Sequence, residues 1–202
     1  MKKIPTLFER VFEDHKKVNI KPNVRKGMEW VLAGEGIATL KFDGSCCAII
    51  NGEFYRRYDA KNGKAAPEGA IPCCEPDPVT GHWPHWVKVN PTDPADKWFW
   101  EARCNTIAID FVMPTDGTYE AVGPHFQGNP YKLEIDVLVK HGEDKLEVPR
   151  TFEGIKKYLE DNYIEGIVFW KDGEPQCKIK RSDFGLEWNN KNIKENEQIA
   201  IN

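Results

Sequence analysis

The stretch TLKFDGSCCAII, residues 39–50, is an apolar β-type run interrupted by a lysine, an aspartate and a glycine. Leu40 and Phe42 flank Lys41 with apolar side chains, and Asp43-Gly44 can turn the chain directly after them. An apolar strand gains nothing in packing from such an interruption. The stretch therefore predicts chemistry at the end of a strand.

Length and charge limit the classes of protein that this chain can belong to. Its 202 residues, 40% of them hydrophobic, suffice for one cored domain but hardly for two, so we expect a single domain over residues 1–202. The net charge of −4 means that contact with nucleic acid must rest on a local basic patch. No signal peptide or membrane-spanning run is present in the sequence, which predicts a soluble, intracellular, cytoplasmic protein.

The cysteines and histidines give no strong metal signal. Six cysteines lie at positions 46, 47, 73, 74, 104 and 177, and the adjacent pairs lack the C-x-x-C spacing that lets two thiolates grip one zinc ion. Reduced thiols are the simpler interpretation. His82, His85, His125 and His141 lack a ligand spacing and indicate packing or surface residues, although His141 belongs to a motif described below.

Local patterns predict an α+β fold dominated by antiparallel strands. Asn51-Gly52 and Asp172-Gly173 each separate two β-type runs and predict hairpin turns. Strands are expected within 31–42, 47–58, 118–122, 131–140, 164–170 and 176–180, and helices within 96–107 and 151–162. Residues 61–97, rich in Pro, Gly, Asp and Trp, predict an ordered loop without regular structure, and the polar segment 189–198 predicts a mobile or loosely docked end.

Lys41 has the setting of a lysine nucleophile. A lysine attacks only when it is neutral, so partial burial and neighbouring cations favour this role by lowering its pKa. Gly44 leaves room for a phosphate to approach the backbone. The structural alternative is a lysine whose stem packs on apolar residues at the end of a strand.

A second group of polar residues lies among later apolar strands. Glu165 lies in IEGIVFW, and Lys178 and Lys180 share one face of QCKIK because side chains two residues apart point the same way. Neighbouring ammonium groups repel unless an anion lies between them, which predicts a phosphate and metal site. A structural glutamate–lysine pair is the alternative.

Burial of Glu165 would be costly without a partner. The carboxylate should therefore pair with lysines or hold a metal. On the functional interpretation, the variant Glu165→Gln is expected to keep a near-native melting temperature.

The order of these motifs resembles that of the covalent nucleotidyltransferase superfamily, which includes ATP-dependent ligases and capping enzymes. The segments KFDGSCC, GTYEAVGPHFQGNPY, VKHG, EGIVFW and KIKRSDFGLEW are similar to the RNA ligase 1 family, over about residues 38–188. The resemblance implies a single ATP-grasp-like adenylation domain of antiparallel sheets with flanking helices. It also implies an RNA-repair ligase that joins 5′-phosphate and 3′-hydroxyl ends through a lysyl-AMP intermediate.

The resemblance assigns a role to each residue that matches a motif. Lys41 would bond to the α-phosphorus of ATP, and Glu120 would accept a hydrogen bond from the ribose. Arg57 would hold a phosphate or the RNA 5′ end; Arg56, which alternation turns to the opposite face, is the alternative if the register differs by one residue. The implied nucleotide- and phosphate-binding set is Leu40, Asp43, Gly44, Arg57, Glu120, Glu165, Lys178 and Lys180.

The implied cofactors are ATP and Mg²⁺, or Mn²⁺ in its place. Glu165 and Asp43 would position the hydrated cation, while Lys178 and Lys180 would neutralise charge on the phosphate oxygens. The residue that stacks on adenine is expected within the predicted strand Leu133–Val139.

Departures from the superfamily pattern leave other functions open. Cys46 stands where many DNA ligases carry an arginine, and no room follows the Lys178-Ile-Lys180 motif for an appended OB-fold domain. An RNA-capping guanylyltransferase and a catalytically silent RNA-end-binding domain are the alternatives. The expected partner of this predicted monomer is RNA, bound in a basic groove formed by RKGMEW, the segment 56–64 and KIKR.

Overall fold

The computed structural model describes residues 3–13, 16–61, 63–78 and 80–189. Most of the predicted polar tail therefore lies outside the described residues. Every strand pairing within the described ranges is antiparallel, apart from one isolated bridge. The predicted α+β class is confirmed. No helix in these ranges is both long enough and apolar enough to span a membrane.

The elements are numbered along the chain. The strands are β1 (Phe8–Glu13), β2 (Lys16–Val24), β3 (Ile37–Lys41), β4 (Ser45–Ile50), β5 (Glu53–Ala60), β6 (Ile71–Pro72), β7 (Trp83–Lys88), β8 (Gly117–Val122), β9 (Val137–Lys140), β10 (Lys145–Leu146), β11 (Gly166–Lys171) and β12 (Glu174–Lys180). The α-helices are α1 (Glu29–Leu32), α2 (Lys97–Asp110) and α3 (Phe152–Asp161), and short 3₁₀ helices span Pro94–Asp96 and Arg181–Asp183.

The chain divides into two compact units. One, the continuous unit, is Asp43–His141; the other, the split unit, combines Ile4–Phe42 with the described residues from Gly142 onward. The prediction of a single domain over residues 1–202 is not tested by this division and stays a prediction.

The continuous unit is built on a six-stranded sheet in the order β6-β7-β5-β4-β8-β9. Helix α2 packs mainly against β9. Its core brings together buried residues from the sheet and the helix, including Cys47, Ile49, Phe54, Ala102 and Leu138. The alternation of β4 therefore turns Cys47 into the core and its neighbour Cys46 to the opposite face.

The split unit contains a four-stranded sheet in the order β10-β3-β11-β12 and the two-stranded sheet β1-β2. Ile155 and Leu159, four residues apart on α3, share a core with strand residues such as Ile167 and Ile179. The Thr151 side chain accepts a hydrogen bond from the Gly154 N–H and caps α3. Of the two central strands of the sheet, β3 ends at Lys41 and β11 begins directly after Glu165.

Both predicted hairpin turns are confirmed. Asn51 and Gly52 have φ angles of 52° and 75°, and Asp172 and Gly173 have 54° and 77°, as a two-residue turn with two left-handed residues requires. These turns fix the registers of β4 with β5 and of β11 with β12.

Several predicted boundaries were wrong. Residues 83–88, assigned to an irregular loop, form β7 and pair along β5. The predicted strand 131–140 is limited to β9, because a turn in which Lys132 has a φ of 52° precedes it. The hairpin β1-β2 was not predicted, and Val31 and Leu32, at the start of the predicted strand region 31–42, belong to α1.

Candidate functional site

Lys41 is the last residue of β3, and its Cα partner on β11 is Gly166. Its side chain is 18% exposed. The Nζ atom donates to the Glu165 Oε2 atom at 2.5 Å and to the Phe42 carbonyl oxygen at 3.2 Å. The predicted nucleophile is therefore held in place by a carboxylate.

Glu165 immediately precedes β11 and is only 3% exposed. While Oε2 receives Lys41, Oε1 accepts a hydrogen bond from the Lys180 Nζ atom at 2.5 Å. Gly166 has both lysines as Cα partners, Lys41 on β3 and Lys180 on β12. Of the two expectations for Glu165, pairing with lysines or holding a metal, the structure shows the pairing, and these two strand registers explain which lysines it meets.

The close approach of β11 and β12 depends on the absence of a side chain at Gly166. A Cβ atom built there would lie 2.3 Å from the Ile179 carbonyl oxygen, a backbone atom that cannot rotate away. Glycine at this position therefore allows the strand pairing that places Glu165 next to Lys180.

Lys178 adds a third cation to this group. Burial, followed by the nearby charges of Lys41 and Lys180, lowers the pKa of Lys178 to about 8. Three lysines around a single carboxylate make this end of the sheet electropositive, which suits the binding of an anionic group. The predicted gathering of Lys41, Glu165, Lys178 and Lys180 is thus observed within the split unit.

In the continuous unit, Glu120 lies on β8 with Cys46 as its Cα partner on β4. One carboxylate oxygen accepts the Gly44 N–H at 3.2 Å, and the other lies 2.9 Å from the His141 Nε2 atom. A Cβ atom at Gly44 would lie 2.2 Å from the Ala121 carbonyl oxygen, so the glycine of the K-x-D-G motif also permits close packing against β8.

A cleft of about 600 Å³ opens on this unit, and its lining includes Gly44, Cys46, Arg56, Arg57 and Glu120. The predicted residues Gly44, Arg57 and Glu120 therefore share one cleft. Burial, with a smaller contribution from the Glu120 carboxylate, raises the pKa of the Cys46 thiol to about 12.

The two arginines of β5 have different partners. The Arg56 Nε atom donates to Asp96, a carboxylate that is 2% exposed and that also accepts the Asn90 N–H at 2.8 Å. The Arg57 Nε atom donates to Asp59, which is partly exposed, at 2.8 Å. Arg56 thus neutralises a buried carboxylate, whereas the pair made by Arg57 is more accessible to solvent.

The remaining predicted residues have the following positions. Leu40 packs against the core of the split unit, and its N–H donates to the Asp144 carbonyl oxygen at 2.8 Å. Asp43 follows β3, and its N–H donates to the Tyr131 hydroxyl at 2.6 Å. Within the segment nominated for adenine stacking, Leu138 is buried in the core of the continuous unit.

Sequence reasoning missed the contact between His141 and Glu120. His141 follows β9 directly, and its backbone N–H donates to the Thr118 carbonyl oxygen, two residues before Glu120. The period-two alternation of Thr118 and Glu120 in GTYEAV was a usable signal, but the pairing of β8 with β9 was needed to bring His141 to it.

Comparisons with known proteins find distant similarity to an RNA ligase. No protein-family model matches the sequence. A curated relative, RNA ligase 1 from Danio rerio, is 28% identical over 137 aligned residues, which cover 54% of this chain and 42% of the relative. The chain thus spans less than half the length of that relative. This similarity agrees in part with the resemblance seen in the motifs.

Proposed function

We propose that this chain is an ATP-dependent RNA ligase that joins 5′-phosphate and 3′-hydroxyl ends through a lysyl-AMP intermediate. The observation that carries the proposal is Lys41, held at the end of β3 by the buried Glu165 beside two more lysines. Distant similarity to an RNA ligase supports the same reaction class.

In the proposed first step, Lys41 attacks ATP. The Nζ atom forms a bond to the α-phosphorus, the bond from that phosphorus to the bridging oxygen breaks, and pyrophosphate leaves. The amine must lose a proton to become a nucleophile. Glu165 Oε2, at 2.5 Å, is placed to accept it, and Lys178 and Lys180 supply positive charge for the phosphate oxygens.

The next two steps transfer AMP and then release it. An oxygen of the RNA 5′-phosphate attacks the α-phosphorus, the phosphorus–nitrogen bond breaks, and Lys41 regains a proton. A 3′-hydroxyl then attacks the phosphorus of the activated 5′ end, forming the phosphodiester and expelling AMP. Arg57 and Glu120 keep the roles toward phosphate and ribose that the motif resemblance implies.

A divalent cation is part of the proposal. Carboxylate oxygens are the hard ligands that Mg²⁺ prefers, and such a cation withdraws charge from the phosphate. Both oxygens of Glu165 already accept an ammonium N–H, so their remaining lone pairs suit contact through a water molecule. Asp43 stays a predicted second residue for the cation, and Mn²⁺ is the expected substitute.

Labelling with α-³²P-ATP and Mg²⁺ tests the proposal directly. The wild-type protein should form an adduct that survives a denaturing gel, and Lys41→Ala should form none. Lys171→Ala is the matched control, because Lys171 is a partly exposed lysine of the same unit that pairs with Glu35. An equal adduct from folded Lys41→Ala would disprove the role of Lys41.

The two alternative functions give different results in the same assay. A capping guanylyltransferase should label with GTP in preference to ATP, and a silent RNA-end-binding domain should bind RNA without any covalent nucleotide. An RNA ligase should also seal 5′-phosphate RNA and leave 5′-hydroxyl RNA unjoined.

The RNA-binding surface stays a prediction from charge. Lys61 and Lys64 are exposed in the continuous unit, within one of the basic segments named above. If they bind phosphates of single-stranded RNA, reversing both charges should lower the log–log salt slope of binding by about 0.7 for each phosphate that is no longer neutralised. Unchanged affinity and slope would place the RNA elsewhere.

A further inference from the structure

Three side chains able to bind a metal meet on neighbouring strands of the continuous unit. Cys46 on β4 is the direct Cα partner of Glu120 on β8, and His141 follows β9, the strand on the other side of β8. Their possible ligand atoms, one sulfur, one carboxylate oxygen and one imidazole nitrogen, all lie within 4.8 Å of one another. They come from distant parts of the sequence, so no ligand spacing reveals them.

These separations are near those of a tetrahedral zinc site. With zinc–ligand bonds of 2.0–2.3 Å, tetrahedral ligand atoms lie about 3.3–3.7 Å apart. The His141 Nε2 and Glu120 Oε2 atoms are now 2.9 Å apart, at hydrogen-bonding distance. Exchange of the proton between them for a metal ion requires these two atoms to separate slightly and any pair near the upper limit of 4.8 Å to close by no more than about 1 Å.

Thr118 orients the imidazole for this role. Its Oγ1 atom lies 3.0 Å from the His141 Nδ1 atom, while Nε2 faces Glu120. A hydroxyl can donate to Nδ1 while Nε2 carries a proton, and it can accept from Nδ1–H when Nε2 holds a metal. Such a partner on the second nitrogen is usual for histidines that bind metals, because it fixes the tautomer and the ring orientation.

The cluster has a route to solvent and a position for a fourth ligand. Cys46 and Glu120 line the cleft of about 600 Å³ described above. Arg57, which also lines the cleft, is paired with Asp59 at 2.8 Å, which partly offsets its charge near a cation. A water molecule entering from the cleft can complete a four-coordinate site.

We propose that Cys46, Glu120 and His141 form a binding site for Zn²⁺. A mixed set of thiolate, imidazole and carboxylate matches the borderline softness of this ion and is poorly suited to Mg²⁺. Binding releases the thiol proton of Cys46 and the proton between His141 and Glu120. The site requires neither ATP nor Lys41 and so goes beyond the ligase proposal. Because Glu120 is also the predicted ribose contact, bound zinc occupies that residue.

The test measures metal binding to the full chain after treatment with a chelator. Competition with a chromophoric zinc indicator should show one equivalent of Zn²⁺ bound per chain. Co²⁺ should bind at the same site and produce a near-ultraviolet thiolate-to-cobalt charge-transfer band. X-ray absorption of the zinc-loaded protein should find one sulfur ligand.

Variants identify the ligands. Cys46→Ser and His141→Gln should each weaken zinc binding by at least about 100-fold, and Thr118→Val, which removes only the orienting hydroxyl, by about 10- to 100-fold. Cys104→Ser, at an exposed cysteine, and His125→Gln are matched controls that should bind zinc as the wild type does. Circular dichroism of each variant checks that the fold is retained.

Three results would overturn the proposal. These are the absence of stoichiometric zinc binding by the wild type, a zinc-loaded protein without a sulfur ligand, and wild-type affinity in a folded Cys46→Ser protein. The wild-type measurements decide the matter even if Cys46→Ser does not fold. Loss of binding in Cys104→Ser with retention in Cys46→Ser would place the ion at other cysteines.

Discussion

At the scale of single residues, Lys178 gives the protein a specific dependence on alkaline pH. Its pKa is lowered from 10.5 to about 8 by burial and by Lys41 and Lys180, against the opposing charge of Glu165. Between about pH 8 and pH 10.5, the Lys178 ammonium group keeps its proton in the unfolded chain and largely loses it in the native protein. Linkage then requires that the contribution of Lys178 to the free energy of unfolding rises with pH from about 8 to 10.5.

Replacement of Lys178 by methionine should remove this pH-dependent contribution. Lys178→Met should be more stable than the wild type at pH 7, by on the order of 2–3 kcal/mol, and the difference should shrink as pH rises towards 10.5. Denaturant unfolding at several pH values measures it. Lys145→Met, at an exposed lysine of β10, is the control and should leave the pH profile nearly unchanged. A constant difference between Lys178→Met and wild type would contradict the prediction.

Glu165 should be essential to stability as well as to chemistry. The contacts of Glu165 with Lys41 and Lys180 replace the expectation that Glu165→Gln keeps a near-native melting temperature. The amide of glutamine would turn its NH₂ group towards one of the two ammonium groups and leave three lysines without a counter-charge. We expect a loss of about 2–4 kcal/mol, because breaking a buried ion pair leaves uncompensated charge. Glu35→Gln, which breaks the exposed pair with Lys171, should cost no more than about 1 kcal/mol.

The adenylylation rate per folded molecule separates the two roles of Glu165. Under the ligase proposal this rate falls steeply in Glu165→Gln at every Mg²⁺ concentration. If the variant keeps the wild-type rate per folded molecule, Glu165 serves stability alone.

At the scale of the element, β5 places two adjacent arginines in different environments. Arg56→Ala would leave the buried Asp96 without its ion-pair partner and should destabilise the protein by about 3 kcal/mol. Arg57→Ala would break a partly exposed pair with Asp59 and should cost at most about 1 kcal/mol. Urea midpoints measure both. Adenylylation or RNA binding per folded molecule should fall in Arg57→Ala and stay near wild type in Arg56→Ala.

The elements also show what sequence can predict and what it cannot. Both hairpin turns were predictable, because Asn51-Gly52 and Asp172-Gly173 encode left-handed turn geometry locally. Strand β7 was not, because Pro84 interrupts its pattern and its pairing partner β5 lies across a long Pro-rich segment. In the site, the Asp172-Gly173 hairpin predicted that Glu165 would lie near the lysines of β12, whereas its contact with Lys41 depends on the pairing of β11 with β3, a strand far away in sequence.

At the scale of the whole molecule, the single-domain prediction implies that the two units unfold together. Both ends of the continuous unit lie beside β8, since Gly44 N–H donates to Glu120 and His141 N–H donates to the Thr118 carbonyl. If Asp43–His141 unfolded alone, it would become a flexible loop that joins the two segments of the split unit. Closing this loop costs on the order of 4 kcal/mol in entropy, which lowers the free energy of unfolding of the split unit by that amount. That cost couples the two units.

Hydrogen exchange measured at increasing urea concentration tests this coupling. Peptides from α2 report on the continuous unit, and peptides from α3 report on the split unit. We expect the two helices to lose protection at the same urea midpoint, as in a two-state transition. Two well-separated midpoints would show that the chain consists of two independently stable domains.

The two strands that pair with β3 are synthesised long after β3 itself. Both neighbours of β3 in the sheet, β10 and β11, are synthesised after the whole continuous unit, and Glu165 follows Lys41 by 124 residues. At about 5–20 residues per second, the ribosome needs roughly 6–25 s to cover that distance. During this time the nascent chain carries Lys41 on an unpaired strand without its carboxylate, and the continuous unit Asp43–His141 is completed before Glu165 is synthesised. The lysine therefore acquires the surroundings proposed for its reactivity only after Glu165 and Lys180 have been synthesised.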